Sequence, residues 1–282
     1  MIYKILQLCL FCAIWILLNS HSAIASKYSI FNPVPKDKMR NMSTARPSKS
    51  DNSYTIDSGR IQIETSLYSF DKTKTTDSRT TNQSFLNSTA LRIGITQSSE
   101  FEIITTPIIW RKQKDLQSGS TQSSNGFVDT TLRLKYNFIG NDSGNFSIAA
   151  IPFFKIPTNS NNLANNYNEG GISIPMELAL KNGYSLTYNP QTLILKRSDT
   201  LNYKPVFVNI FVIGKSFNNN LSGYIEYYHS QIPENSKHFQ QTLDFGVVYA
   251  LTKNITIDGA MNFGLSNDSS DLEMMFGGAY RF

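Results

Sequence analysis

The stretch from Leu272 to Phe282 constrains the chain more than any other. Leu272, Met274, Phe276, Gly278, Tyr280 and Phe282 alternate with Glu273, Met275, Gly277, Ala279 and Arg281, and the sequence stops on the aromatic. A period of two puts the first set on one face of a β-strand and the second on the other. One face is apolar and aromatic, the other small or charged. Such a strand suits a wall with lipid on one side and a polar lumen on the other, where each backbone N–H and C=O must be paired within the sheet.

The opposite end predicts export. Lys4 precedes an apolar run from Ile5 to Leu18, and Ala23-Ile24-Ala25 has the small-x-small form of a secretory cleavage site. Residues 1–25 are therefore expected to be a signal peptide. The run is short for a membrane helix, and no later stretch reaches the roughly 18 consecutive apolar residues that a spanning helix requires. Both cysteines, Cys9 and Cys12, fall inside this leader. The expected mature chain thus has no disulfide and no thiol-based site.

Charge excludes further classes. The sequence carries 26 basic and 21 acidic side chains; losing Lys4 leaves 25 against 21, or +4. The basic residues are interspersed with acidic ones, so a nucleic-acid interface is not expected. Mean hydropathy is −0.26, which ordinarily suggests a soluble protein. A membrane barrel hides from that index, because alternate residues of each strand are polar.

Periodicity decides. About twelve strand-length segments follow one another near 59–70, 84–97, 100–111, 127–140, 144–157, 171–181, 183–196, 203–217, 220–230, 239–251, 254–265 and 271–282, separated by Gly, Asn, Asp, Ser and Pro clusters. Tight links at Ser98-Ser99, Asn141-Asp142-Ser143, Asn182-Gly183, Asn218-Asn219 and Lys253-Asn254 alternate with looser ones at 71–83, 112–126, 158–170, 197–202, 231–238 and 266–270. Short turns on one rim and long loops on the other predict an all-β, antiparallel transmembrane barrel of about 12 strands. With an even strand count, both termini fall on the short-turn, periplasmic rim. Aromatics near strand ends, among them Trp110, Tyr184, Phe217, Tyr249 and Tyr280, are expected to form interfacial girdles.

The closing strand looks like that of a bacterial outer-membrane barrel, in which Tyr280 and Phe282 would serve as the assembly signal read by the insertion machinery. The region before the first strand carries a second resemblance. Asn32-Pro33-Val34-Pro35, Ser43-Thr44-Ala45-Arg46-Pro47, Tyr54-Thr55-Ile56-Asp57-Ser58-Gly59 and Ile61-Gln62-Ile63-Glu64, with the Gly278-to-Phe282 ending, are similar to the transporter-like outer-membrane family named for the MetA pathway of phenol degradation. Ala45 stands where that family commonly has an acid, and Ser53 where it has proline before the tyrosine. The resemblance implies a channel for small molecules, hydrophobic ones included. Residues 26–58 are expected to lie in the periplasm or along the short-turn rim, in preference to folding inward as a plug, and residues 59–282 to form the barrel.

Strand parity places Glu64, Arg92, Asp129, Arg133, Lys135, Glu177, Glu226, Asp244, Asp258, Glu273 and Arg281 on the lumen side. With both signs present, mutual neutralisation in a salt-bridged interior is favoured over selectivity rings. No enzyme is expected. Only His229 and His238 remain in the mature chain, and Tyr227-Tyr228-His229-Ser230-Gln231 lacks the phrase of the barrel-type phospholipase. No histidines stand at metal-ligand spacing, and neither cofactor nor metal is expected. The expected partners are outer-membrane lipid, the insertion machinery and a small-molecule solute. The competing reading is a non-conducting structural or adhesion barrel, binding through loops near 71–83 and 158–170.

Overall fold

The computed structural model describes residues 27–74, 80–115, 118–160, 163–164, 166–196, 202–231 and 239–282. The expected signal peptide lies outside them. Fourteen strands succeed one another: β1 (Ile61–Lys74), β2 (Thr80–Thr96), β3 (Ser99–Asp115), β4 (Thr121–Gly126), β5 (Thr130–Ile139), β6 (Phe146–Ile156), β7 (Glu169–Ser173), β8 (Met176–Ala179), β9 (Tyr184–Lys196), β10 (Tyr203–Ser216), β11 (Leu221–Gln231), β12 (Phe239–Thr252), β13 (Ile255–Gly264) and β14 (Leu272–Arg281). They make twelve staves, because two staves are interrupted. β4 and β5 pair successive stretches of β3, and β7 and β8 together bridge β6 to β9.

Proline explains the second interruption. Pro175 has no N–H to give the ladder; its carbonyl accepts from Ala149 N–H at 3.1 Å, while the Ile174 N–H turns to the Pro190 carbonyl at 3.0 Å. Every neighbouring pair is antiparallel, and β14 pairs with β1 in register Gln62 to Arg281, so the sheet closes into a barrel, with β4 paired on β3 alone. The last residue joins the seam, the Phe282 N–H donating to the Ile61 carbonyl at 2.9 Å.

The sorting of connections agrees with the sequence. Short links after β2, β5, β8, β10 and β12 lie on the rim where β1 begins and β14 ends. The tight reversal before β9 puts Asn182 and Gly183 at φ 60° and 73°, the left-handed region that asparagine and glycine tolerate best. Two expected loops are corrected. β1 continues to Lys74, β2 starts at Thr80, β3 reaches Asp115, and Thr121–Gly126 is itself a strand. Their sequences are polar throughout, so the apolar alternation that marks a lipid-facing strand is absent. Backbone pairing holds them all the same.

The molecule is apolar outside and polar inside. Leu67, Trp110 and Val247 are 66%, 60% and 54% exposed, while Glu100, Glu226 and Asp244 are fully buried. In water this would be an inverted protein; in a bilayer it is the required arrangement. Exposed rings at the short-turn ends of the staves include Phe138, Tyr184, Phe217, Tyr249, Tyr280 and Phe282. They form the expected girdle on that rim. No helix among the described residues is long and apolar enough to cross a membrane.

Candidate functional site: the occupied lumen

The segment before β1 enters the barrel, which corrects the rim position expected for residues 26–58. Its start and its end stay at the rim. There Ile30 N–H donates to the Ile95 carbonyl at 3.1 Å and Arg60 Nε to the Val34 carbonyl at 2.8 Å. Beyond this, residues 43–58 bond to inward side chains around the barrel. Gly94 makes the crossing possible: a Cβ there would sit 2.1 Å from the Asp57 carbonyl oxygen, so only glycine lets the segment pass so close to β2.

One cluster forms on the β1–β5 side. Arg92 Nη1 lies 2.6 Å from Glu64 Oε1, and Arg92 Nη2 lies 2.7 Å from Glu100 Oε1. Lys135 Nζ stands 3.0 Å from Glu100 and 3.2 Å from Glu102, and Arg133 Nε 3.0 Å from Glu102. The segment completes this cluster. Asp51 takes Arg133; Ile56 N–H donates to Glu100 at 2.6 Å, Ala45 N–H to Glu64 at 3.1 Å, and Arg92 to the Ser43 carbonyl at 3.0 Å. Buried carboxylates and guanidinium groups are tolerable here because each has several partners.

The β11–β14 side is built differently. Glu226 accepts from Ser48 Oγ, from Lys49 N–H at 2.9 Å and from Ser50 N–H at 3.1 Å. Arg46 Nη2 stands 2.9 Å from Asp258 Oδ1 and Arg46 Nη1 donates to Ser66 Oγ at 2.6 Å. Lys49 Nζ is 2.8 Å from Glu273 and 3.5 Å from Asp244. Here the wall supplies acids and the segment supplies the cations.

The remaining expected lumen residues sit at separate levels. Arg281 pairs with Asp57 at 3.3 Å near the short-turn rim, where Asp57 also holds Arg40 at 2.9 Å. Asp129, in the break between β4 and β5, receives Lys155 at 2.8 Å, and Lys155 reaches Glu169 at 2.7 Å. Glu177 accepts from the Tyr54 hydroxyl at 3.3 Å. Burial, reinforced by the nearby Glu177 charge, raises the Tyr54 phenol above its ordinary value, so it stays a neutral donor at physiological pH. Glu100, Glu102, Lys155 and Glu169 were missed by sequence reasoning. Glu100 and Glu102 share a parity against Phe101 and Ile103, a signal of the same kind that marked Arg133 and Lys135.

Neutralisation is therefore only partly a property of the wall. The β1–β5 cluster holds both signs in the wall; the acids of β11–β14 depend on Arg46 and Lys49. Space remains beside the segment. A cavity of about 390 Å³, lined by Arg46, Ser48, Ser50, Thr187, Tyr224 and Thr256, opens towards Asn218–Leu221 at the short-turn rim. No group of three or more His, Cys, Asp or Glu side chains among the described residues is arranged to hold a metal ion.

Fold and lumen together define an outer-membrane β-barrel whose interior is filled by its own N-terminal segment. The chain belongs to the family described as "Putative MetA-pathway of phenol degradation", whose profile matches residues 44–282. The match takes in most of the lumen segment as well as the wall. No curated protein matches in sequence. Among solved structures, the COG4313 outer membrane channel from Pseudomonas putida F1 is similar with a TM-score of 0.62 at 12% identity, covering 79% of this chain and 95% of that one. The transport unit of the autotransporter AIDA-I from Escherichia coli is similar with a TM-score of 0.51 at 11% identity, covering 85% and 92%. At such identities the likeness is one of fold.

Proposed function

We propose that the barrel is an outer-membrane channel for passive movement of small molecules, hydrophobic and aromatic ones included, with residues 43–58 as a displaceable stopper. The observation that carries this reading is how the stopper is held. It is bound to Glu64, Arg92, Glu100, Glu226 and Asp258 through hydrogen bonds and ion pairs, which water and solute can replace. An apolar plug would instead be held by burial that water cannot match. The cavity beside the segment supplies the start of a route.

Ten of the eleven wall charges listed from parity, all but Asp129, act in this reading as the polar seat of the stopper. The short-turn rim faces the periplasm, lipid covers the apolar band, and Tyr280 with Phe282 presents the assembly signal to the insertion machinery. The catalytic alternative gains nothing from the described lumen, where acids meet bases and His229, on the opposite parity of β11 to Glu226, takes no part. Flux through liposomes tests the proposal: folded protein should admit a small aromatic such as benzoate or phenol faster than protein-free vesicles do. No flux of any small solute through heat-modifiable protein would overturn it. The tall β1–β3 hairpins, with β2 and β3 each 17 residues long, favour the adhesion reading as the alternative, and the same null result would select it.

A further inference from the structure

The cross-strand register on the β11–β14 side lines up like charges. Glu226 stands opposite Asp244, Asp244 opposite Asn262, Asn262 opposite Glu273, and Glu273 opposite Asp71 of β1. Acids facing each other across a sheet destabilise it, so a row of them with no basic member calls for a positive occupant. Two of its groups are also short of donors. Asp244 is fully buried and neither carboxylate oxygen accepts a hydrogen bond; Asn262 is 2% exposed and its Oδ1 likewise has none.

The present occupant shows what fits. The Lys49 ammonium lies 2.8 Å from Glu273 Oε2, 3.1 Å from Thr242 Oγ1 and 3.5 Å from Asp244 Oδ2, with its Nζ 5.2 Å from the centre of the Tyr228 ring. Three N–H donors, two carboxylates and one ring face match a primary ammonium. The side chain is a tethered ligand. The segment around it is fixed on Glu226 alone among the acids of the row, through the Ser48 hydroxyl and the Lys49 and Ser50 N–H groups, all of which a free cation in water could displace.

We infer that the Glu226–Asp244–Asn262–Glu273 row, with Thr242 and Tyr228, is a binding site for small primary amines, kept filled by Lys49 until an amine takes its place. The inference rests on the channel reading only for the route by which an amine arrives. Binding of an ammonium solute and release of Lys49 are then one exchange, so the solute itself loosens the stopper at its middle. An uncharged alcohol of the same shape brings one O–H donor and no charge.

Calorimetric titration of the purified full-length protein in detergent with n-butylammonium chloride tests this, with n-butanol as control. The Lys49→Gln variant should bind n-butylammonium at least tenfold more tightly than wild type, and adding Asp244→Asn and Glu273→Gln should remove that binding. Equal affinity in wild type and Lys49→Gln, or undiminished affinity in the triple variant, overturns the inference. Should Lys49→Gln lose heat-modifiability, the wild type decides: saturable n-butylammonium binding weakened tenfold by Asp244→Asn supports the site, and its absence refutes it. Liposome flux separates the two proposals. Binding without flux keeps the amine site and sinks the channel; flux without the Lys49→Gln gain does the reverse.

Discussion

Arg92 shows what a buried charge needs in this interior. It is 2% exposed and meets Glu64, Glu100 and two carbonyls of the segment. Removing it leaves two buried carboxylates short of their partner, a change that typically costs about 3–5 kcal/mol. Arg92→Leu should therefore lower the temperature at which the folded band is lost on an unboiled gel, and an unchanged transition would show that the segment's N–H groups suffice. Asp258 is a milder case. Its partner Arg46 keeps a hydrogen bond to Ser66, so Asp258→Asn should leave the barrel folded while freeing the stopper. The expected readout is a several-fold rise in single-channel open probability in planar bilayers. Residue-scale parity was legible for Arg92 and Lys135 because their strand neighbours are apolar. The partners of Arg46 were not legible, since Asp258 lies more than two hundred positions away and no local pattern joins them.

Among elements, β2 is the hinge point of the segment. Gly94→Leu would drive a side chain into the Asp57 carbonyl and push the segment off the wall where it turns towards the rim. Protease cleavage between residues 40 and 58 should then become fast in detergent-solubilised protein while the barrel stays heat-modifiable; protection equal to wild type would mean that the segment passes elsewhere. β14 carries a different prediction. Phe282 donates its N–H to Ile61 and packs edge-on to Tyr280, ring centres 4.5 Å apart, so deleting it removes the last rung of the seam and an exposed ring. Yields of folded protein in the outer-membrane fraction should fall, and normal yields would count against an assembly role. The staves were readable where lipid imposes contrast between faces. Beyond the apolar band β1 to β3 run on through polar sequence. There the ladder persists, but a sequence has no contrast left to record it.

As a whole, the barrel divides its electrostatics between wall and segment. The β1–β5 side is internally paired, whereas on the β11–β14 side, Arg281 at the rim apart, the acids borrow their cations from residues 46 and 49. Removing residues 40–58 should therefore give a pore that prefers cations, seen as a shift of reversal potential across a KCl gradient and fading as ionic strength rises. An anion-selective or unselective truncated pore would contradict this charge division. The wall was foreseeable from period and turn length; its division into a self-neutral side and a dependent side required knowing what lies within.

The Phe282–Ile61 contact also means that the barrel, followed around its circumference, has no beginning. The segment's start at Ile30 bonds to Ile95, on the stave next to that contact, so a linker along that rim could join Phe282 to Lys27. A circular permutant cut at Asn218 would then end on Phe217, a ring 61% exposed at the same rim. If such a chain inserts as well as the natural one, the membrane's assembly apparatus reads an aromatic wherever a stave finishes at that level. Failure to insert would tie recognition to β14 itself.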